Sequence, residues 1–279
     1  MSLPEISVVI PSYGRPQALA RCLAALEAQS LDRDRYEIVV VDDGTEPPLR
    51  VPAFPRVRLL RQPNAGPAAA RNHGAREARA PRLAFTDDDC APAPAWLGAM
   101  LGATLRQPGA LAAGRTLNAV RDNVFSQSSQ DVVSFLQTEG EMSGTPFVAS
   151  NNLALDRAEF LRLGGFPETY RGAGGEDRAF CLAWARAGHR VVPVPRAVVH
   201  HHHAMGWRGF WRQHAAYGRG SARFHTEEGA PAPSLRQRVA FTLRLLAWPL
   251  RGDPPGATLR RSALLAFAQV ATAWGRLRA

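Results

Sequence analysis

Short apolar runs and helical patterns alternate along the first third of the chain, and this alternation constrains the fold more than any other feature. Each apolar run is rich in β-branched residues and ends at turn residues, which is typical of buried strands. Predicted strands cover residues 6–10, 36–41, 57–60 and 83–86, and predicted helices cover residues 17–29 and 68–80. The order strand, helix, strand, strand, helix, strand predicts right-handed crossovers and an α/β fold with a mainly parallel central sheet flanked by helices.

Polar residues follow three of these predicted strands at the points where the strands end. Ser12 and Tyr13 follow the first strand, Asp42 and Asp43 follow the second, and Asp87–Asp89 follow the fourth. In parallel α/β sheets, ligands bind outside the carboxyl ends of the strands. Three adjacent carboxylates repel one another, and a bound divalent cation lowers that repulsion. The acidic triplet therefore indicates a metal and phosphate site, with a solvated acidic loop as the alternative.

The remainder of the chain is less regular. Helices are predicted at residues 96–106, 157–163 and 176–187, strands at 110–117, 147–155 and 191–199, and a polar segment containing a helix at 118–144. The run His200–His203 follows the last predicted strand. We predict a domain of residues 1–225, with halves 1–117 and 118–225, followed by a C-terminal helical appendage of residues 226–279.

Two amphipathic, Arg-rich segments make up this appendage. One helical face carries Val239, Leu243, Leu246 and Leu250, and a second carries Ala263, Phe267, Val270, Trp274 and Leu277. Such faces pack on a domain, pair two subunits in a homodimer, or lie on a membrane surface. Packing is the commonest of these outcomes, and the sequence leaves the other two open.

Composition bears on the compartment and the partners. All 34 basic residues are Arg, the formal net charge is +10 and the pI is about 10.9, so the surface attracts phosphates, acidic saccharides, nucleic acid or anionic lipid. Three widely spaced cysteines argue against a disulfide framework or a zinc knuckle. The chain has no basic leader and no apolar stretch long enough to span a bilayer. We therefore expect a cytoplasmic protein, with peripheral contact at the inner face of the membrane as an open alternative.

Five motifs occur in a fixed order along the chain. They are Ser7–Tyr13, Val40–Gly44, Asn64–Pro67 with Ala70–Gly74, Asp87–Asp89 and Gly174–Asp177. Together they resemble the motifs of family 2 glycosyltransferases with the GT-A fold, and the resemblance reaches to about residue 220. Each motif alone is weak, but five in order at plausible spacing are specific. The resemblance implies a nucleotide-diphospho-sugar transferase fold and an inverting enzyme that moves a single sugar from a nucleotide sugar to an acceptor hydroxyl.

The resemblance also implies roles for residues near the strand ends. It places Pro11, Tyr13 and Asp43 around the nucleoside of the donor, and Arg71 beside a phosphate or the ribose. From the residues alone, Asp43 can instead cap a turn, and Arg71 can instead be a solvated surface residue.

The same resemblance assigns the acidic triplet to the donor and its cation. Asp89 is the expected direct ligand of Mn²⁺ or Mg²⁺, while Asp87 and Asp88 contact the donor, Asp87 near the ribose. In similar proteins a histidine after the last strand completes the metal shell. We predict His200 first and His202 second, because strand alternation puts these two on one side. The alternative is an exposed polar end of a strand.

Asp177 is the residue that the resemblance identifies as the general base. It would remove the proton from an acceptor hydroxyl that attacks the anomeric carbon from the face opposite the diphosphate, so the anomeric centre inverts without a covalent intermediate. The alternative for Glu176 and Asp177 is favourable interaction with the helix dipole at the start of a helix. The Gly-rich run Gly172–Gly175 would let this loop close over the sugar.

The acceptor side is less defined. Asn151 and Asn152 either line the acceptor cleft or turn the chain, and the aromatic stripe that includes Trp207 and Trp211 either stacks on sugar rings or belongs to a core. Residues 213–217 lack the Gln-x-x-Arg-Trp signature of processive family members, which favours transfer of one sugar. The expected acceptor is a saccharide, a lipid-linked molecule or a small molecule.

Two other functions compete with this interpretation. A sugar nucleotidyltransferase would carry a Gly-rich basic loop after the first strand, where this chain has Pro11–Arg15. A basic nucleic-acid-binding protein would account for the charge of +10, but it would leave the acidic strand ends unexplained. We therefore expect no nucleic-acid partner.

Overall fold

An eight-stranded mixed sheet organises the first of two units into which the chain divides. The computed structural model describes residues 3–139, 146–170, 174–230, 232–251 and 255–279. The first unit comprises residues 1–117, 148–171 and 183–202, and the second comprises residues 118–147, 172–182 and 203–279. Two parts of the predictions, Gly172–Ala173 of the Gly-rich run and residues 140–144 of the polar segment, lie outside the described residues.

The strands of the sheet lie in the order β3-β2-β1-β4-β7-β6-β8-β5. Their bounds are β1 Ile6–Ser12, β2 Tyr36–Asp42, β3 Val57–Arg61, β4 Arg82–Phe85, β5 Cys90–Pro92, β6 Leu111–Asn118, β7 Leu153–Asp156 and β8 Val191–His201. The helices are α1 Pro16–Glu27, α2 Pro67–Glu77, α3 Trp96–Arg106, α4 Val124–Glu139, α5 Arg157–Arg162, α6 Glu176–Arg186, α7 Trp207–Glu227, α8 Leu235–Leu246 and α9 Pro255–Arg276.

The parallel half of the sheet follows from the local sequence. β1 and β2 are buried along their whole length, as expected for parallel strands covered on both faces. β1 pairs in parallel with β2 and β4, and β2 pairs in parallel with β3, so the carboxyl ends of the strands share one edge. Proline at the start of α1 and of α2 presets the first helical φ angle. The predicted α/β class is confirmed.

The antiparallel half contains a strand that the sequence does not signal. β7 pairs antiparallel with β4 and with β6, and the short strand β5 pairs antiparallel with β8. Cys90 to Pro92 add to the sheet edge because β8 continues to His201, beyond its predicted end at residue 199. Cys90 lies opposite His201 in this pairing, which brings the histidine run beside the triplet.

Asn151 and Asn152 turn the chain before β7. They belong to a buried 3-10 turn at Ser150–Asn152, where a strand was predicted to have begun already. The Asn152 side chain accepts a hydrogen bond from Trp96 Nε1 at 2.8 Å and donates to the Ala197 carbonyl at 3.3 Å. Because both the oxygen and the nitrogen of the Asn152 side-chain amide are engaged in these contacts, the structure favours the turn over a role in an acceptor cleft.

In the second unit, α9 packs closely against α7. A Cβ atom on Gly218 of α7 would lie 2.1 Å from the Thr272 carbonyl oxygen, and one on Gly275 of α9 would lie 2.0 Å from the Ala215 carbonyl oxygen. Trp211 of α7 packs on Phe267 of α9 with ring centroids 5.2 Å apart, and both rings are partly buried. The predicted domain boundary at residue 225 stays a prediction.

Within the described residues, no helix has both the length and the apolar character that a membrane crossing requires.

The close helix crossing predicts a large cost for adding one methyl group. We expect Gly218→Ala to lower the free energy of unfolding by about 1–3 kcal/mol, because the two backbones must separate. Gly209→Ala in the same helix is the matched control, since its Cβ would meet only Met205 Cβ at 3.5 Å. The control should be neutral or stabilising by up to about 1 kcal/mol, as alanine favours helix. Urea unfolding of both variants measures this, and equal effects would contradict the account of the crossing.

Candidate active site

Three strand ends form one polar cluster at the edge of the sheet. Register pairs Ser12 of β1 with Asp42 of β2, and Thr86 donates its backbone N–H to Val9 of β1. Ser12 Oγ donates a hydrogen bond to Asp88 Oδ2 at 2.7 Å, which ties the end of β1 to the acidic triplet. The strand ends therefore meet as the alternation of strands and helices predicts.

Asp88 points inward from this cluster. Its side chain has no exposed surface, and burial raises the pKa of Asp88 to about 6, although Arg15 and the Ser12 hydroxyl oppose the rise. Arg15 and Ser12 cover the Asp88 carboxylate in this structure, and its predicted contact with the donor stays a prediction. Asp88 ties the strand ends together, while the side chains of Asp87 and Asp89 on either side of it are 24% and 10% exposed.

Arg15 bridges two members of the triplet, which the sequence analysis did not anticipate. Its Nη2 lies 2.7 Å from Asp88 Oδ1, and its Nη1 donates to Asp89 Oδ2 at 2.7 Å. The side chain of Arg15 is still 51% exposed, so the guanidinium covers the cluster from the solvent side. Its position directly before Pro16, the first residue of α1, is the local signal that places it after the end of β1.

The imidazole beside Asp89 belongs to His201. His201 Nε2 lies 3.4 Å from Asp89 Oδ1, whereas His200 is exposed on the other side of β8. Burial lowers the pKa of His201, but the hydrogen bond and charge of Asp89, with the charge of Asp87, outweigh burial and raise it. The pairing of β5 with β8 therefore brings the imidazole of His201, and not that of the predicted His200, beside Asp89.

The donor atoms around Asp89 fit a divalent cation. One ligand atom each from Asp89, Cys90 and His201 lie within 4.8 Å of one another. Two atoms that share one ion at the 2.0–2.1 Å typical of Mg²⁺ lie about 3–4 Å apart, which matches the pair formed by Asp89 and His201. Burial raises the pKa of the Cys90 thiol well above its usual value, which disfavours the thiolate that would bind a metal. A carboxylate oxygen with an imidazole nitrogen suits Mn²⁺ at least as well as Mg²⁺.

Asp42 and Asp43 organise the loops around the cluster. Asp42 Oδ1 accepts the Thr45 backbone N–H at 2.9 Å, which is the turn-capping alternative. Asp43 accepts hydrogen bonds from Gln62 Nε2 and from the backbone N–H groups of Ala65 and Gly66 at 2.8–2.9 Å. Three such bonds leave a carboxylate about one further acceptor position. Asp43 thus holds the loop that begins α2 and keeps limited capacity for a ligand.

Arg71 is buried and paired, and it is not a solvated surface residue. Its side chain is 4% exposed, and its Nη2 donates to Asp87 Oδ1 at 2.7 Å. The guanidinium also lies over the Phe166 ring, 5.6 Å from the centroid. The pair brings a fixed positive charge from α2 to the outward side of the triplet.

Pro11 and Tyr13 differ in accessibility at the end of β1. Pro11 is buried within the strand, and Tyr13 is 55% exposed just beyond it. The backbone N–H of Gly14 donates to Thr45 Oγ1 at 2.9 Å, which fixes the turn that carries Tyr13. Tyr13 is therefore available to a ligand at this edge through its ring, and the predicted contact of Pro11 with the nucleoside stays a prediction.

Asp177 lies in the second unit, in the first turn of α6. The preceding Gly174 and Gly175 have φ angles of +94° and +116°, a backbone conformation that residues other than glycine rarely adopt. A Cβ atom on Gly220 of α7 would lie 2.0 Å from the Gly174 carbonyl oxygen, so α7 supports this turn at close range. The N-terminus of α6 stabilises the charged form of Asp177. Its catalytic role stays a prediction.

Comparisons with known proteins agree on one family. The sequence profile described as "Glycosyl transferase family 2" matches residues 7–160, and one described as "N-terminal domain of galactosyltransferase" matches residues 134–204. The pre-mycofactocin glycosyltransferase of Mycobacterium tuberculosis is 29% identical over 241 residues, which cover 81% of this chain and 49% of that protein. The validoxylamine A glucosyltransferase of Streptomyces hygroscopicus subsp. jinggangensis is 30% identical over 210 residues, covering 63% and 50%. The chain thus spans about half the length of these curated relatives.

A solved structure shares the fold. The mannosyltransferase PcManGT from Pyrobaculum calidifontis, in complex with GDP-Man and Mn²⁺, superposes with a TM-score of 0.64 at 19% identity, covering 99% of this chain and 88% of that one. At this identity the likeness shows the fold alone. It confirms the fold predicted from the order of the motifs.

The Arg15 bridge predicts a competition with metal ions. In the absence of nucleotide, Arg15→Gln should raise the affinity for Mn²⁺ about threefold to fivefold, because the Arg15 guanidinium no longer pairs with Asp89. A partly exposed ion pair contributes up to about 1 kcal/mol, which sets the size of this gain. Arg50→Gln removes an equal charge from an exposed site and should leave the affinity unchanged. Isothermal titration with Mn²⁺ measures both. Weaker binding in Arg15→Gln would show that Arg15 supports the metal site and does not compete with it.

Proposed function

The chain belongs to glycosyl transferase family 2, and from that premise we propose that it transfers one sugar from a nucleotide-diphosphate donor to an acceptor hydroxyl with inversion at the anomeric carbon. The observation that carries the proposal is the cluster at the strand ends, where Asp87 and Asp89 lie beside Arg15, Arg71 and His201. Such a cluster of fixed carboxylates and cations suits a ligand that is itself both anionic and metal-bound. Neither a nucleotidyltransferase nor a nucleic-acid-binding protein is proposed.

The donor's nucleoside would lie over the ends of β1 and β2. The exposed ring of Tyr13 offers a surface for the base, and Asp43 offers its remaining acceptor position to a base or ribose donor group. Asp87, which Arg71 holds by a hydrogen bond, would accept a hydrogen bond from the ribose. These contacts orient the donor, so that binding energy is spent on positioning before the reaction begins.

The diphosphate would lie beside Asp89. A Mn²⁺ or Mg²⁺ ion held by Asp89 and His201 would supply positive charge to the leaving nucleoside diphosphate. Arg15, which already reaches Asp89 from the solvent side, would move from the carboxylate to a phosphate oxygen once the carboxylate has another partner. Asp88 would keep the strand ends in place throughout, because Ser12 holds it from below.

Asp177 would act as the general base. Its charged form, favoured by the start of α6, would accept the proton of the acceptor hydroxyl during attack opposite the leaving diphosphate. Gly174 and Gly175 give the turn before it the backbone freedom that this placement requires.

The acceptor is a saccharide, a lipid-linked molecule or a small molecule. Contact with a membrane and pairing of two copies through the C-terminal helices are the two partner hypotheses for α8 and α9.

Metal-dependent donor hydrolysis tests the proposed function. A panel of sugar nucleotides should contain one that the protein hydrolyses with Mn²⁺ or Mg²⁺ and not with EDTA. His201→Ala should lower the apparent Mn²⁺ affinity about tenfold or more, since it removes a ligand, and His200→Ala is the matched control that should leave it unchanged. Equal effects of the two substitutions would remove His201 from the metal site. Donor turnover that persists in EDTA would contradict the metal-dependent reaction.

Replacing the predicted base separates chemistry from binding. Asp177→Asn should abolish transfer while the affinity for the nucleotide donor stays nearly intact, because the amide keeps the shape but cannot accept the proton. Transfer is measured with radiolabelled donor, and affinity by titration calorimetry. A loss of nucleotide affinity of more than tenfold, equivalent to about 1.4 kcal/mol, would reassign Asp177 to donor binding.

A further inference from the structure

Exposed apolar side chains are concentrated at the C-terminal end of the chain. Among the described residues, twelve large apolar side chains are exposed, and nine of them lie between Trp207 and Leu277. Scattered exposed apolar residues are normal on a protein surface, but a concentration of this kind marks a surface that contacts something else.

Helix α9 carries an exposed apolar stripe along its length. Leu259, Val270, Trp274 and Leu277 are exposed, and at 3.6 residues per turn they fall within about 60° of one another. Leu265, Ala268 and Ala271 lie on the buried side of the same helix. The stripe is therefore a second apolar face, additional to the face that packs.

Helix α8 repeats this arrangement. Leu235, Val239 and Leu243 are exposed at a spacing of four residues, which forms a single stripe, while Phe241 and Leu245 anchor the helix from the other side. The Phe241 ring packs on Phe135 of α4 with centroids 5.1 Å apart. The sequence analysis placed Val239 and Leu243 on one amphipathic face, and the structure leaves that face open.

Arginines border both stripes. Arg236, Arg238, Arg244, Arg251, Arg260 and Arg278 are exposed. From Ala232 to Ala279 the sequence contains eight arginines and a single acidic residue, Asp253. Arg278 also lies over the Trp274 ring, 4.1 Å from its centroid, which holds an aromatic ring and a charge together at the border. Apolar stripes with basic margins complement a surface whose outer layer is anionic and whose inner layer is apolar.

We propose that the exposed stripes of α8 and α9, with their arginine margins, bind an anionic lipid bilayer surface side-on. Leu235, Val239 and Leu243 of α8, and Val270, Trp274 and Leu277 of α9, enter the boundary between headgroups and acyl chains. The arginines bind lipid phosphates and anionic headgroups. This mode needs no membrane-crossing helix, in agreement with the helices that the structure describes.

A second copy of this chain fits the stripes less well. A two-fold interface places the same surface on both sides, so the arginines of one copy would face those of the other. Glu139 of α4 pairs with Arg244 and Arg251, and Asp253 is the one acidic position of the segment. The remaining exposed arginines would therefore meet like charge across a two-fold interface. Charge complementarity therefore selects the anionic bilayer over the dimer.

Vesicle sedimentation tests the proposal without any sugar donor, so its outcome is independent of the proposed transferase. The protein should partition about tenfold or more in favour of vesicles of phosphatidylcholine with phosphatidylglycerol over phosphatidylcholine alone. Binding should weaken as salt rises, because the headgroup attraction is screened.

Matched variants locate the contact. Val239→Ser with Leu243→Ser on α8, and Val270→Ser with Leu277→Ser on α9, should each lower the partition coefficient about fivefold or more. Leu105→Ser, an exposed leucine of α3 in the first unit, should leave it unchanged. Because all these side chains are exposed, thermal unfolding midpoints close to that of the parent verify folding. Absence of binding at low salt, equal loss with Leu105→Ser, or a concentration-dependent dimer that the α8 and α9 variants abolish would overturn the proposal.

Discussion

Repulsion among three adjacent carboxylates is the constraint around which the first unit is arranged. Each carboxylate has its own cationic or hydrogen-bonding partner from a different part of the chain: Asp87 has Arg71, Asp88 has Ser12 with Arg15, and Asp89 has Arg15 with His201. These partners come from α2, the end of β1 and the end of β8. The acidic triplet is therefore tolerated because two arginines, the Ser12 hydroxyl and the His201 imidazole reach it from different parts of the chain.

The same arrangement prepares the site for the proposed ligand. The turn after β4 buries Asp88 completely, where it supports the strand ends, and leaves the Asp87 side chain 24% exposed and the Asp89 side chain 10% exposed. The half-exposed Arg15 pairs with Asp89 from the solvent side. A ligand can therefore replace Arg15 as the partner of Asp89 without a rearrangement of the sheet. A preorganised cluster of this kind costs little reorganisation when a charged donor binds.

Local sequence patterns were sufficient to predict β1 to β4, α1 and α2, because each of these elements carries its own apolar period and turn residues. They were insufficient for β5, whose three residues are strand only because β8 extends beside them. The same non-local pairing brings His201, and not the predicted His200, beside Asp89. Periodicity found the amphipathic stripes of α8 and α9. It could not say that Phe241 and Leu265 pack while Val239 and Val270 stay exposed, since that depends on which face meets α4 and α7.

The central claim is that Asp89 and His201 together hold the cation of a nucleotide-sugar transferase. Anomalous diffraction at the manganese edge, from crystals grown with Mn²⁺ and a nucleoside diphosphate, tests it most directly. The account predicts one strong anomalous peak between the Asp89 carboxylate and the His201 imidazole, in contact with the diphosphate and with Arg15 turned away from Asp89. A nucleoside diphosphate bound at the strand ends with the manganese peak elsewhere, or coordinated by His200, would contradict it.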